Sequence, residues 1–374
     1  MNCSLDLLET SVQNIVFAHL PLEILINITK FLSIQEILNL SICSKHFYDI
    51  LFAIKINDNV NFDKISELSY FDSFVNVIYT EFAKTFPKSL EILSWECKDT
   101  LPRQLPASLK TLSLGSSYKS RSSLPDTLKN LYFDWRHNHP LPPLPNSLKK
   151  LYLGGYYNQP LAQLPNSLKI LHLGRDYNYP LSKLPDSLEC LRLSSDYDQR
   201  LPQLPNSLKI VHLGFDFNYP LLKLPDSLKS LDLGFKYNHP LPQLSDSLED
   251  LNLGGRYNEL LTQFPTSLKS LTLSNHYNQP LPQLPDLLEY LHLREGYNLP
   301  LCLLPKSLKE FHLSYKYNQP LPQLPDSLED LHLGHDFNQP LPQLPISLSY
   351  LRVQRNFQLP VLQSNITVEF FDNI

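Results

Sequence analysis

Glycine is scarce in this chain, at 10 of 374 residues, and methionine and tryptophan are almost absent, at one and two. No glycine-rich phosphate loop, HExxH zinc motif or GxSxG nucleophile elbow occurs, so the common signatures of phosphate, zinc and hydrolase chemistry are missing. Cysteine is sparse too: Cys3, Cys43, Cys97, Cys190 and Cys302 are scattered and form no CxxC pair. An odd, dispersed set points to reduced thiols in a cytoplasmic or nuclear protein, not to a secreted disulfide framework. The opening stretch MNCSLDLLET is acidic where a secretion signal is basic. The Asn-x-Thr triplets at Asn27 and Asn365 are then read as chance. No apolar run approaches the roughly 18 residues of a membrane span, so no span, and no membrane partner, is expected. Positive charge is not in surplus either, with 32 Lys+Arg against 37 Asp+Glu. Without a basic stripe to neutralise phosphates, nucleic acid is excluded as a partner.

Proline is what the chain has in excess, with 32 residues, and only Pro21 precedes residue 87. That content excludes a mainly helical protein, because proline breaks helix interiors. Charge divides the chain at the same place. Residues 1–86 hold 5 Lys and 10 Asp+Glu, whereas the remainder carries 27 of each sign.

From Pro145 to Pro345 the sequence repeats every 20 residues without a slip. A typical unit is LPNSLKKLYLGGYYNQPLAQ, residues 144–163, and earlier units marked by Pro87, Pro106 and Pro125 bring the count to 14. Leu148, Leu151 and Leu153 recur as LxxLxL. In an extended segment alternate residues share a face, so Leu151 and Leu153 point inward while Lys150, Tyr152 and Gly154 point outward. No unit can bury its leucines alone, and stacking the units builds a parallel sheet over a continuous leucine core. The return path holds Pro160 and Pro165, and in many units a third proline such as Pro202 or Pro242. That spacing leaves no room for an α-helix and suits extended segments whose backbone need not donate to a ladder. Leu161 and Leu164 fall there and are expected to close the core from behind.

Two columns repeat in nearly every unit. Tyr or Phe stands at every twentieth position from Tyr157 to Phe337, followed by Asn, with Asp198 as the exception. A residue fixed in every rung maintains the rung. The aromatics are expected to stack between rungs and the asparagines to cap turn backbone. Specificity belongs in the columns that vary. One reads Tyr152, His172, Arg192, His212, Asp232, Asn252, Thr272, His292, His312 and His332, and it is the candidate target-binding face. Its neighbour runs from Lys150 through Cys190 and Tyr290 to Asp330. The flanking column is small (Gly154, Gly174, Ser194, Gly214), which is expected to let a partner approach the sheet. His292, His312 and His332 offer three imidazoles, a zinc donor set. Stacking on successive rungs aims their nitrogens alike and not at one point, so neither metal nor cofactor is expected.

Units of the form LPxSLKxLxLGxxYNxPL resemble the FNIP repeats of slime-mould and giant-virus proteins, a variant of leucine-rich repeats, over residues 87–363. They are also similar to the 20-residue leucine-rich repeats of bacterial effectors, which share the LPxLP frame. The leucine-rich consensus would place Asn at position 156; here it is Asn158.

Ahead of the array, residues 15–55 read as a small helical module. Pro21 suits a first helical position and Glu23 the first turn. Ile24, Leu25, Ile28, Phe31 and Leu32 follow at helical spacing. Ser33-Ile34-Gln35-Glu36 is a capping box opening a second helix, and Ser44 starts a third segment. The module carries more apolar side chains than so small a bundle can hide, which points to a partner. It resembles an F-box: Leu20-Pro21-x-Glu23-Ile24-Leu25-x-x-Ile28, then Leu32, Ile37-Leu38-x-Leu40-Ser41 and Cys43-Ser44-Lys45-x-Phe47. Ile37 replaces the family's usual Leu and Phe47 its frequent Trp. The resemblance implies docking on a Skp-type adaptor, and through it a cullin ubiquitin ligase, by Leu20, Pro21, Ile24, Leu25, Ile28 and Leu32, supported by Ile37, Leu40 and Phe47.

The expected architecture is α+β by composition: a tail (1–14), the F-box-like module (15–55), a connector and cap (56–86), an elongated leucine-rich-repeat-like parallel β-solenoid with non-helical proline-rich returns (87–363), and a closing cap (364–374). Val75, Val77 and Tyr79 alternate as a first strand, and Ile366, Val368 and Phe370 as a closing one. The expected function is that of a non-enzymatic substrate receptor of a Skp–cullin–F-box ligase, its sheet face holding a protein target. The ligase partners would be a host cell's if the chain is viral. The alternatives are a binding scaffold with no ubiquitin role and a bacterial-type repeat ligase. The latter needs a separate catalytic cysteine domain, and only about eleven residues follow the last unit here.

Overall fold

The computed structural model describes residues 36, 56, 59–69, 71–80, 85–97, 101–102, 104–116, 118, 123–362 and 364–372. The helical module expected at 15–55, with the docking residues from Leu20 to Phe47, lies outside the described residues, except that Glu36 is helical and exposed. The chain forms two compact units, Met1–Leu151 and Tyr152–Ile374. In both, short parallel strands alternate with irregular segments. Among the described residues beyond Glu36, the only helical pieces are 3-10 turns at Phe62–Lys64 and Phe71–Ser73.

In the second unit, one three-residue strand forms per 20-residue turn as far as Asp330–His332. Ile170–His172 pairs in parallel with Cys190–Arg192, placing Leu171 against Leu191 and His172 against Arg192. The same register runs on from Cys190–Arg192 rung by rung to Tyr350–Gln354. Leu168 and Leu171 are fully buried and Leu173 nearly so. Each such leucine contributes roughly 2 kcal/mol of burial. The proline-rich returns contain no helix, and Leu164, Leu184 and Leu224 in them are buried. Tyr157 to Phe337 form an unbroken internal stack, adjacent rings 6.2–6.3 Å apart and 3–17° from parallel. The asparagines after them form a ladder in which Oδ1 of one rung accepts the backbone N–H of the next, as in Asn238 to Asn258 at 2.8 Å and Asn258 to Asn278 at 2.9 Å.

Two columns behave in ways the repeat pattern alone did not reveal. The serine before the LxxLxL leucines donates to the carbonyl 19 residues earlier, as from Ser207 to Leu188 and from Ser227 to Leu208. The Gly/Ser column, expected to face a partner, is internal. A Cβ on Gly174 would lie 1.7 Å from the Gly154 carbonyl oxygen, and Ser194 is 2% exposed with its hydroxyl donating to the Tyr177 carbonyl. These positions are small because successive rungs touch backbone to backbone.

In the first unit the strands are Val60–Asn61, Asn76–Tyr79, Ile92–Trp95, Thr111–Leu114 and Asn130–Phe133, each parallel to the next. Val75, Val77 and Tyr79 are buried, but the sheet begins before them, at Val60. Tyr79 stacks between Phe62 and Trp95, at 4.6 and 5.5 Å, and fills this end of the unit with aromatic surface. His137 stands where later rungs have tyrosine, stacked 4.5 Å from Phe133, and burial pushes its pKa down to about 4. The second unit closes with Thr367–Phe371, parallel to Tyr350–Gln354.

Candidate functional site

All ten candidate face residues lie in the second unit at the third position of their strands. Arg192 is exposed and the other nine are half-buried, each shielded by its neighbours on adjacent rungs. Outward placement follows from the pleat. The rung spacing sets residues twenty apart in sequence side by side along one face.

The row contains two groups. In the first, Tyr152 meets His172 edge-on at 4.3 Å, and His172 Nε2 lies 3.8 Å from Cys190 Sγ. Burial, then the charges of Arg192 and His212, push His172 down to about 4. Asp232 accepts from Asn252 Nδ2 at 3.2 Å and from the Gly234 N–H at 2.9 Å, and lies 3.8 Å from His212 Nδ1. Burial opposes its ionisation, but these partners together hold its carboxyl below the usual range.

The second group is histidine-rich. Tyr290 approaches His292, hydroxyl to Nδ1, at 3.4 Å. His292 meets His312 edge-on at 5.2 Å, and His312 stacks on His332 at 3.8 Å with planes 6° apart. Burial pushes all three imidazoles down, His292 to about 4 with further lowering by His312 and Arg294. They are therefore neutral at physiological pH, each able to donate and accept. Asp330, from the adjacent column, comes within 3.0 Å of His332 Nε2, and burial raises its carboxyl. His312, Asp330 and His332 each offer a donor atom within 4.8 Å of the others.

The sequence reading missed a charged column beside the strands. Glu189 bridges Lys169 and Lys209 at 2.6 and 2.9 Å, and Glu249 bridges Lys229 and Lys269 at 2.8 and 3.0 Å. These lysine partners hold both carboxyls at about 2. The signal was present as Glu recurring among lysines at positions 189, 249, 289 and 329. The described cysteines Cys97, Cys190 and Cys302 are free thiols. Among the described residues, no helix is long and apolar enough to cross a membrane.

Comparison with known proteins agrees with this geometry. The FNIP Repeat family model matches residues 98–135, 137–168, 157–196, 197–236, 237–276 and 317–354, and the F-box domain model matches 17–57. Curated proteins give no match. Among solved structures, the chain is similar to CroV588, described as a novel circular LRR protein, with 26% identity and a TM-score of 0.66 over 85% of this chain. The chain spans 55% of that protein's length. It is also similar to YopM from Yersinia enterocolitica WA-314, with 28% identity and a TM-score of 0.57, covering 80% of this chain and 68% of YopM.

Proposed function

Since this chain belongs to the FNIP-repeat family and carries an F-box ahead of its array, we propose that it is the target-recognition subunit of a Skp–cullin–F-box type ubiquitin ligase. The F-box docks on a Skp-type adaptor through Leu20, Pro21, Ile24, Leu25, Ile28 and Leu32, with Ile37, Leu40 and Phe47 behind them. The outward row from Tyr152 to His332 holds a protein target. Ubiquitin chemistry resides in other subunits, and a viral chain would draw those from its host. The observation that carries the reading is the pairing of an F-box match with a long repeat surface whose inner columns repeat and whose outer column varies. Such a surface presents many shallow polar and aromatic contacts in a row and suits an extended partner. Reduced thiols at Cys97, Cys190 and Cys302 favour the cytoplasm or nucleus as its place of work.

The test is a pull-down of a Skp-type adaptor by the full chain beside the double variant Pro21→Ala/Leu25→Asp. Binding by the wild type and loss in the variant, with unchanged circular dichroism, is the expected result. No binding by the wild type would leave a solenoid scaffold without a ubiquitin role.

A further inference from the structure

Arg294 interrupts the most restrictive column of the array. At the equivalent position the rungs from Gly154 to Gly334 otherwise carry only glycine or serine, because successive backbones touch there. A Cβ on Gly334 would lie 1.8 Å from the Ser314 carbonyl oxygen. Arg294 occupies this position with φ +55°, in the left-handed region that side chains avoid. Gly234 and Gly254 adopt the same conformation at φ +70° and +71°. The turn therefore exists twice in the array with glycine, and its backbone does not require an arginine. A bulky charged residue kept in a strained position, where a smaller one is the local rule, points to a use for the side chain.

The side chain lines a cleft of about 420 Å³ together with His292, His312, His332, and the stacked pair Tyr315 and His335, whose rings are 4.5 Å apart. The other charges on its walls are engaged. Arg352 Nε lies 3.2 Å from Glu369, Asp372 accepts from Arg355 at 2.6 Å, and Glu295 accepts from Asn275 at 2.9 Å. The guanidinium of Arg294 makes no ion pair among the described residues, and its Nε is buried without a hydrogen-bond partner. His335 is tied to Asp336 through Nδ1 at 2.8 Å, while its Nε2 is likewise buried and unpartnered. Two residues whose buried nitrogens lack partners thus line one cleft, and buried polar groups are ordinarily paired. Guanidinium geometry matches a carboxylate or a phosphate through paired N–H donors.

We propose that this cleft binds an oxyanion borne by a side chain of the recognised protein, a carboxylate or a phosphate, with Arg294 as the anchoring cation. The proposal rests on the reading of the outward face as a protein-binding surface and narrows it to the rungs that carry His292, His312 and His332. Its test is independent of the F-box, because residues 15–55 take no part in it.

The full chain, labelled with ¹³C at histidine Cε1, is titrated with inorganic phosphate against sodium chloride of equal ionic strength. Saturable shifts confined to His292, His312, His332 and His335 are expected with phosphate and not with chloride. Arg294→Gly, which restores the local rule, should weaken phosphate at least tenfold without lowering the melting temperature. Phosphoserine and glutamate versions of one acidic peptide then compete with phosphate. The tighter competitor identifies the source of the oxyanion. The proposal is overturned by absence of saturable shifts, by unchanged affinity in Arg294→Gly, by a lower melting temperature of that variant, or by failure of both peptides to compete. Failure of the adaptor pull-down with these results intact would remove the ligase reading and leave the anion site standing.

Discussion

Two aromatic-bearing columns run along the same rungs of the second unit and behave in opposite ways. The inner one, from Tyr157 to Phe337, keeps its ring spacing within 6.2–6.3 Å through nine steps. The outer one shows an edge-on pair at 4.3 Å, another at 5.2 Å and a face stack at 3.8 Å. Backbone register is common to both, so the difference arises from burial. An inner ring has one solution, dictated by the backbone above and below it. An outer side chain is free of that constraint and takes the arrangement its neighbours allow. Uniformity therefore marks the scaffold and irregularity marks the surface available for recognition.

The largest break in this comparison comes from truncating one member of each column. Tyr237 is fully buried, and Tyr237→Ala should destabilise the protein by about 3–5 kcal/mol. Thr272→Ala on the outer column should stay within about 0.5 kcal/mol. Urea unfolding midpoints measure both, and equal losses would contradict the division into scaffold and surface.

Acid gives the next effect. His172 and His292 have folded pKa values near 4, below the ordinary 6.5. Between those values the unfolded chain binds more protons, so stability is complete above about pH 6.5 and falls as pH drops towards 4. Glu189 and Glu249, held at about 2 against 4.5, act in the same direction but lower, losing their contribution as pH falls from about 4.5 towards 2. Those pairs are surface-exposed and are screened by salt. Melting temperature followed from pH 8 to pH 4 should decline below 6.5, and the double variant His172→Gln/His292→Gln should flatten that decline. A pH-independent melting temperature in the wild type would show that the outer histidines are not desolvated.

The smallest effect is a gain. Leu287 stands where most rungs have serine and is 54% exposed. Leu287→Ser should restore a donor to the carbonyl 19 residues earlier and stabilise by about 0.5–1.5 kcal/mol. A loss in thermal melting would mean that the exposed leucine packs against something that the serine hydrogen bond cannot replace.

Much of the scaffold was legible in the sequence. The spacing of Leu148, Leu151 and Leu153 located the strands, the prolines excluded helical returns, and the repetition of Tyr marked an internal stack, whereas the asparagines, expected only to cap turns, join one rung to the next. The first three follow from periodicity, which registers which face a residue occupies. Contacts between rungs were less legible. Ser207 reaches back 19 residues and Asn258 exactly one rung on, to the N–H of Asn278, and a repeat pattern does not distinguish a small residue facing a partner from one pressed against the next backbone. The Gly/Ser column was misread for that reason. The outward placement of the row was legible, but its side-chain contacts, such as Asp330 reaching His332 from the neighbouring column, were not. Arg294 stood in plain view as the only departure from Gly or Ser between Gly154 and Gly334. Its left-handed backbone and unpartnered Nε required coordinates.

The asparagine ladder has a consequence for how such an array can change length. Asn238, Asn258 and Asn278 each present the same acceptor to the next rung and the same N–H to the previous one. Excising twenty residues between two of them rejoins an equivalent donor to an equivalent acceptor, whereas a one-residue deletion exchanges the inner and outer faces of the strand. Whole rungs are thus the natural unit of insertion and loss, and the outer row can be lengthened, shortened or reordered while the joint between rungs stays the same.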